Sequence, residues 1–147
     1  MQLHDHFFML MAIGGAMIGA TTFVHALFVS AAGVMLRTFA GKAHNAVRFI
    51  RDAIVLVLIC LWLTAAHAIE IAMWSELFVR LGLFKEIEVA YYYAAVSYTT
   101  LGYGDVVLAP KWGLLGAIAA ANGLLLFGMS AALLIDACLK LRLNRRD

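Results

Sequence analysis

Between Phe7 and Leu36 the chain carries no Lys, Arg, Asp or Glu. As a helix that run of about 30 residues rises about 45 Å, more than the ~30 Å hydrocarbon core of a bilayer. Backbone in lipid must satisfy its own hydrogen bonds, which leaves the α-helix as the form such a run can take. Ala53 to Met73 is a second apolar span, dense in Val, Leu and Ile, and Lys111 to Leu141 is a third. The expected fold class is therefore an all-α membrane protein with three transmembrane helices. Composition agrees: 65% of the 147 residues are hydrophobic and 14% are charged, where a soluble domain has about a quarter charged. No basic region precedes the first span, and the span is too long for a secretory signal, so it is expected to stay in the protein. Cys60 and Cys138 are expected as free thiols, since no metal-ligand spacing surrounds them.

Polar residues inside the spans are few. His25 lies one turn after Thr21 and Thr22 and reads as a neutral His hydrogen-bonded to a neighbour, with a proton sensor as the alternative. Gly15-x-x-x-Gly19, flanked by Ala16 and Ala20, either marks a close approach to the later helices or reflects how common Gly and Ala are in membrane helices. Arg37, Lys42, His44, Arg48 and Arg51 make a basic connection, with its turn at Gly41 and Asn45 and with Asp52 paired to Arg48. The second helix is expected over about 47–81; its apolar span from Ala53 to Met73 is interrupted near the outer end by His67 and Glu70, with Trp74 as an interfacial anchor.

The stretch before the third span does not cross. Glu86 to Tyr98 is too short, and its acidic first turn suits a helix N-terminus. It predicts a re-entrant helix over about 86–98, whose C-terminal end points into the membrane. The chain then returns as Thr99-Thr100-Leu101-Gly102-Tyr103-Gly104-Asp105. Glycines two apart permit positive φ at alternate positions, so successive carbonyls can face the same way. Repeated around an axis, they make rings of oxygen that replace the water around a monovalent cation, with the Thr100 hydroxyl as a further ligand. Irregular backbone at membrane depth is tolerated where it lines water. Val106 to Pro110 forms a short loop before the last helix, expected over about 111–141 with Trp112 at the interface.

Charge gives the orientation. Four basic residues lie in the first connection and four (Lys140, Arg142, Arg145, Arg146) at the C-terminus, while the first six residues have none. Between Met73 and Lys111, three basic residues face four acidic ones. The positive-inside rule puts the first connection and the C-terminus in the cytoplasm, and the N-terminus and Gly102–Gly104 outside.

Thr100 to Asp105 resembles the Thr-x-Gly-Tyr-Gly-Asp selectivity filter of the potassium channel superfamily, with Leu101 where Val or Ile is usual. Residues 47–141 resemble that family's pore module: outer helix, pore helix, filter at 99–105, inner helix. The resemblance implies a homotetramer in which Thr100, Leu101, Gly102, Tyr103 and Gly104 build the K⁺ site. Thr99, Asp105, Tyr92, Tyr93 and Glu70 would support it. Tyr103 would pack against Tyr92 and Tyr93, where relatives often carry a Trp pair, and Asp105 would hydrogen-bond behind the filter, to Tyr93. Val96 stands where some bacterial relatives have a Glu that faces this Asp. His67-x-x-Glu70 resembles the bracing position of voltage-gated relatives. The inner helix would carry the gate, with a hinge at Gly123 or Gly128. Gly128, Ala132 and Asp136 share a helical face toward the cavity. Asp136 then either forms a ring of four carboxylates that binds divalent cations or polyamines, or pairs with Lys140 away from the pore. Residues 1–41 would be an extra helix and turn at the periphery, against the outer helix, and 42–147 the pore domain.

The expected function is a potassium-selective channel, passive and multi-pass, in the plasma membrane of a bacterium and surrounded by lipid. The alternatives are a weakly selective cation channel or a non-conducting subunit. No organic cofactor and no nucleic acid are expected. An enzyme is not: no His, Asp, Glu or Cys cluster shows catalytic spacing, and His25 and His67 fall on different helices. No helix carries Arg or Lys at every third position, so a voltage sensor of the usual kind is not expected.

Overall fold

The computed structural model describes residues 2–39 and 45–143, with side chains over 4–38 and 49–141. Four helices follow one another: α1 (Gln2–Phe39), α2 (Asn45–Arg80), α3 (Ile87–Tyr98) and α4 (Gly113–Leu143). A 3₁₀ turn at Pro110–Trp112 leads into α4, and no strand occurs among the described residues. The fold class is all-α, as expected. His4–Thr38, Phe49–Arg80 and Pro110–Leu141 are each long and apolar enough to cross a membrane. With 12 residues, α3 extends only about 18 Å. The expected turn at Gly41, the basic residues Lys42, Arg145 and Arg146, and the side chains of His44, Arg48 and Arg142 lie outside the described residues. Asp52 is engaged by Arg51 at 2.9 Å.

Burial follows helical periodicity. On α1 the buried positions are 10, 14, 21, 25, 32 and 36, a stripe of alternating four- and seven-residue steps that keeps one face toward the partners. Two apolar clusters result. One gathers Leu10, Ile71, Trp74, Phe78, Tyr93, Tyr98, Leu115 and Leu126 around α3. The other joins Ala32, Leu36, Val55, Ile59, Leu63, Ala137 and Leu141 at the opposite ends of the long helices. Thr21, His25, His67, Glu70 and Ser130 are buried polar residues that fall between the two clusters along their helices, and the buried Asn122 lies within the α4 stretch of the first cluster.

Three local expectations are corrected. Trp74 is not an interfacial anchor: it is fully buried and packs on Phe78 with ring centroids 5.8 Å apart. The C-terminal end of α2 is a wall for α3, so its aromatics serve the core. Gly15 and Gly19 have no neighbour within 4 Å; the close approach is made by Gly14, where a Cβ would come within 2.6 Å of Ile118 Cδ1. The small-residue motif is one residue out of phase with the buried stripe. Finally, α1 does not rest on the outer helix alone. It packs along α2 and along α4, with Trp62 Nε1 donating to the Phe28 carbonyl (3.0 Å) and His6 Nε2 to that of Lys111 (3.0 Å).

The turn that delivers α3 is built by Gly82, at φ +70°. Leu83 N donates to Phe78 O and Gly82 N to Val79 O, both at 2.9 Å, the Schellman pattern that ends a helix. Five residues after Gly82 the chain is helical again, running back beside α2.

Candidate functional site

The C-terminal end of α3 closes on itself. Thr99 N donates to Ala95 O (3.0 Å), Thr100 N to Ser97 O (2.9 Å) and Gly102 N to Val96 O (3.3 Å). The Thr99 hydroxyl adds a bond to Ala95 O at 2.7 Å. These bonds fix the first residues of the Thr99–Asp105 segment to the helix that precedes it.

Within that segment φ is +61° at Thr100, +56° at Gly102 and +76° at Gly104. Positive φ thus recurs at every second residue. In an L-chain this alternation is what allows successive peptide planes to turn the same way, where a strand would alternate them. Two of the three positions are glycine, which takes that conformation freely; Thr100 takes it at a cost of about 1–2 kcal/mol. A threonine held there against sterics is the kind of local strain that accompanies function.

Asp105 is anchored from two sides. The Tyr92 hydroxyl donates to its Oδ2 at 2.6 Å, and Val106 N donates to its Oδ1 at 3.0 Å. The hydrogen bond from Tyr92 holds the Asp105 carboxyl below its usual range, and the same bond pushes the Tyr92 phenol up. The expected partner, Tyr93, is turned elsewhere. Its ring packs on Phe78 (5.4 Å) and Phe84 (5.3 Å), and its hydroxyl lies over Gly116 of α4. One residue along a helix is a 100° rotation, so adjacent tyrosines cannot serve the same neighbour. Within one chain Tyr103 is 67% exposed and Leu101 58%. Val96 is buried and supplies no carboxyl opposite Asp105.

Glu70 lies at the centre of a second constellation. It is fully buried, as is His25. Its Oε1 meets His25 Nδ1 at 2.9 Å, and its Oε2 meets His67 Nδ1 at 3.1 Å. The Tyr98 hydroxyl donates to Oε2 at 2.5 Å. Ser130 Oγ then bridges the far sides of the two imidazoles, 3.0 Å from His67 Nε2 and 3.3 Å from His25 Nε2. One helix away, the Asn122 amide nitrogen donates to Thr21 Oγ1 at 2.9 Å. All four helices contribute to this polar layer. His25 does not bond to Thr21 or Thr22, and the two histidines that sequence separation had set apart have ring centroids 5.1 Å apart. The available signal was that each ionisable group at membrane depth needs a partner; His25, His67 and Glu70 were the mid-span residues able to supply one another.

On α4 the helix runs unbroken through Gly123 and Gly128. Gly123 is pressed against the carbonyl of Tyr98, while Gly128 has no neighbour within 4 Å. Ala132 is exposed. Asp136 accepts from Lys140 at 2.6 Å, with 48% of its side chain exposed. Cys60 and Cys138 are free thiols.

Comparisons with curated proteins and with solved structures returned no match. A family model described as "Ion channel" matches residues 54–140. The match takes in most of α2, all of α3, the alternating-φ segment and most of α4, more than half the chain, so this protein belongs to the ion channel family.

Proposed function

We propose that the protein is a potassium-selective channel in which four copies surround one pore. Ion channel activity follows from the family, which is not an enzyme class; potassium as the ion is our reading. The observation that carries it is positive φ at Thr100, Gly102 and Gly104, the backbone alternation that a stack of inward carbonyl rings requires. Thr100, Leu101, Gly102 and Tyr103 supply the carbonyls and Thr100 a hydroxyl, while Tyr92, acting through Asp105, ties the outer end of the segment to the pore helix. K⁺ is cargo in this reading, held in place of its hydration water.

Tetramer formation is supported by what one chain leaves uncovered. Tyr103, Leu124, Leu125 and Ile135 are each more than half exposed, a price in apolar surface that neighbours around an axis would recover. The gate falls on α4, whose free face includes Gly128 and Ala132, with Asp136 one further turn along, where four copies would form a ring of carboxylates. Charge placement supports a cytoplasmic C-terminus and an outward-facing Gly102–Gly104 in a bacterial plasma membrane.

The test is purified protein in liposomes. K⁺-driven flux, with a reversal potential near the K⁺ equilibrium value in mixed K⁺ and Na⁺, is expected. A reversal potential near zero would replace selectivity with weak cation conduction. Absence of flux would make the chain a non-conducting subunit.

A further inference from the structure

Glu70, His25, Ser130 and His67 form a closed ring of hydrogen bonds, and its protons can be counted. His25 Nδ1 faces Glu70 Oε1 at 2.9 Å, so beside an ionised carboxylate it carries a hydrogen. Tyr98 commits its single hydrogen to Glu70 Oε2. His67 Nδ1 faces both of those oxygens at 3.1 Å and therefore carries a hydrogen as well. In neutral imidazoles both Nε2 atoms are then bare. They face one Ser130 hydroxyl, at 3.0 and 3.3 Å, and that hydroxyl has one hydrogen to give. One edge of the ring is left with lone pairs on both sides.

A single further proton completes it. One imidazole becomes imidazolium and donates through Nε2 to Ser130, which donates to the other imidazole. Placing the proton on Glu70 gives the same count, with only the bond between Glu70 and that imidazole reversed in direction, so the proton belongs to the set and not to one residue. The completed ring is electrically neutral. Buried among apolar side chains, a neutral and fully bonded ring is favoured over a lone carboxylate with an unfilled edge. A second proton would leave a net positive charge and find no edge to fill.

We infer that this ring is a binding site for one proton, shared by His25, His67 and Glu70, through which pH acts on the pore. The groups that face it are His25 from α1, His67 and Glu70 from α2, Tyr98 from α3 and Ser130 from α4. The nearest polar pair, Thr21 and Asn122, is neutral. The described charged pairs Arg51–Asp52, Glu76–Arg80 and Asp136–Lys140 sit toward the helix ends. Tyr98 is the last residue of α3, immediately before Thr99 and Thr100, and Ser130 lies on α4 seven residues beyond Gly123. Gain or loss of the proton therefore makes or breaks one imidazole–Ser130 bond in the network through which Tyr98, at the base of the alternating-φ segment, is connected to the gate-bearing helix. The effect on conduction rests on the channel reading; the proton site does not.

The test labels the histidines of the full chain with ¹⁵N in lipid bilayers and follows them by NMR across pH, beside K⁺ flux from liposomes. In the wild type, His25 and His67 should titrate together in one single-proton step, with flux changing at the same pH. Glu70→Gln offers an N–H and a carbonyl, closes the ring without the extra proton, and should abolish both the step and the change in flux that accompanies it. Ser130→Ala removes one hydroxyl and should move step and flux together to lower pH by about one unit, the worth of a hydrogen bond to a charged group. It decides the matter should Glu70→Gln fail to assemble. Independent titration of the two histidines, or a step unaltered in both variants, would overturn the site. A wild type with no titration step, whose His25 and His67 resonances shift together on adding Zn²⁺ at constant pH, would overturn it in favour of a metal, since donor atoms of His25, His67 and Glu70 lie within 4.8 Å of one another. The NMR step without flux at any pH would leave the proton site standing and overturn its coupling to conduction together with the channel reading.

Discussion

Replacing Gly123 with alanine separates two roles for the same residue. If Gly123 serves only as a flexible point in α4, alanine should stiffen and stabilise the helix by about 0.8–1 kcal/mol, the propensity difference between the two residues. The structure argues for the opposite sign. A Cβ at Gly123 would overlap the carbonyl oxygen of Tyr98 and the first ring carbon of the same residue. The obstacle is backbone at the end of α3, and it cannot rotate aside as a side chain does. Overpacking of this kind costs about 1–3 kcal/mol where side chains can adjust, and here the cost should sit at or above the top of that range. Subtracting the helix gain leaves a net loss of about 2 kcal/mol per chain, multiplied where four chains unfold together. Gly128 supplies the control, because no atom lies within 4 Å of its would-be Cβ. Gly128→Ala should therefore stabilise by about 0.8–1 kcal/mol. Thermal unfolding of the purified variants, read by circular dichroism in one detergent, compares the same chemical change on one helix. Gly123→Ala melting at or above wild type would refute the packing argument.

Tyr92→Phe removes the bond that holds the Asp105 carboxyl low. An ionised, bonded Asp105 contributes above the ordinary carboxylate range, and the contribution is lost as pH falls through its lowered value. The variant should thus lose K⁺ flux at a higher pH on the acid side than wild type; an unchanged acid limb would remove Asp105–Tyr92 from filter support. Thr21→Val strips the hydroxyl that accepts from Asn122 and leaves a buried amide unpaired, for an expected loss of about 1–3 kcal/mol. Unchanged melting would mean that α1 is not locked to α4 through this pair. Asp136→Asn should weaken block by internal divalent cations or polyamines, measured as current rectification in planar bilayers. If neither block nor single-channel current changes, Asp136 serves Lys140 alone.

Much of the architecture was legible because it depends on local quantities. Helix number and extent follow from the length of charge-free runs, and all three long helices lie within a few residues of where hydropathy put them. The re-entrant helix follows from being too short to cross. The alternation in Thr99–Asp105 follows from two glycines, whose tolerance of positive φ belongs to the residue and not to its neighbours. Thr100 joins that alternation without a glycine's freedom, and no composition rule marks it.

What could not be read was every contact that depends on how a helix is rotated about its own axis. Each residue turns the side chain by 100°, so an error of one position exchanges Tyr92 for Tyr93, or Gly14 for Gly15. That rotation is set by the summed packing of four helices, to which no single segment holds the answer. It buries Trp74, which amphipathic reasoning had sent to the interface. It also brings His25 to Glu70 across 45 residues of sequence. By itself the sequence determined a membrane-spanning helical chain with a glycine-punctuated loop between its last two helices. Only the tertiary structure decided that the buried polar residues of all four helices close into one ring, because a hydrogen bond between distant segments exists only once packing has fixed which faces meet.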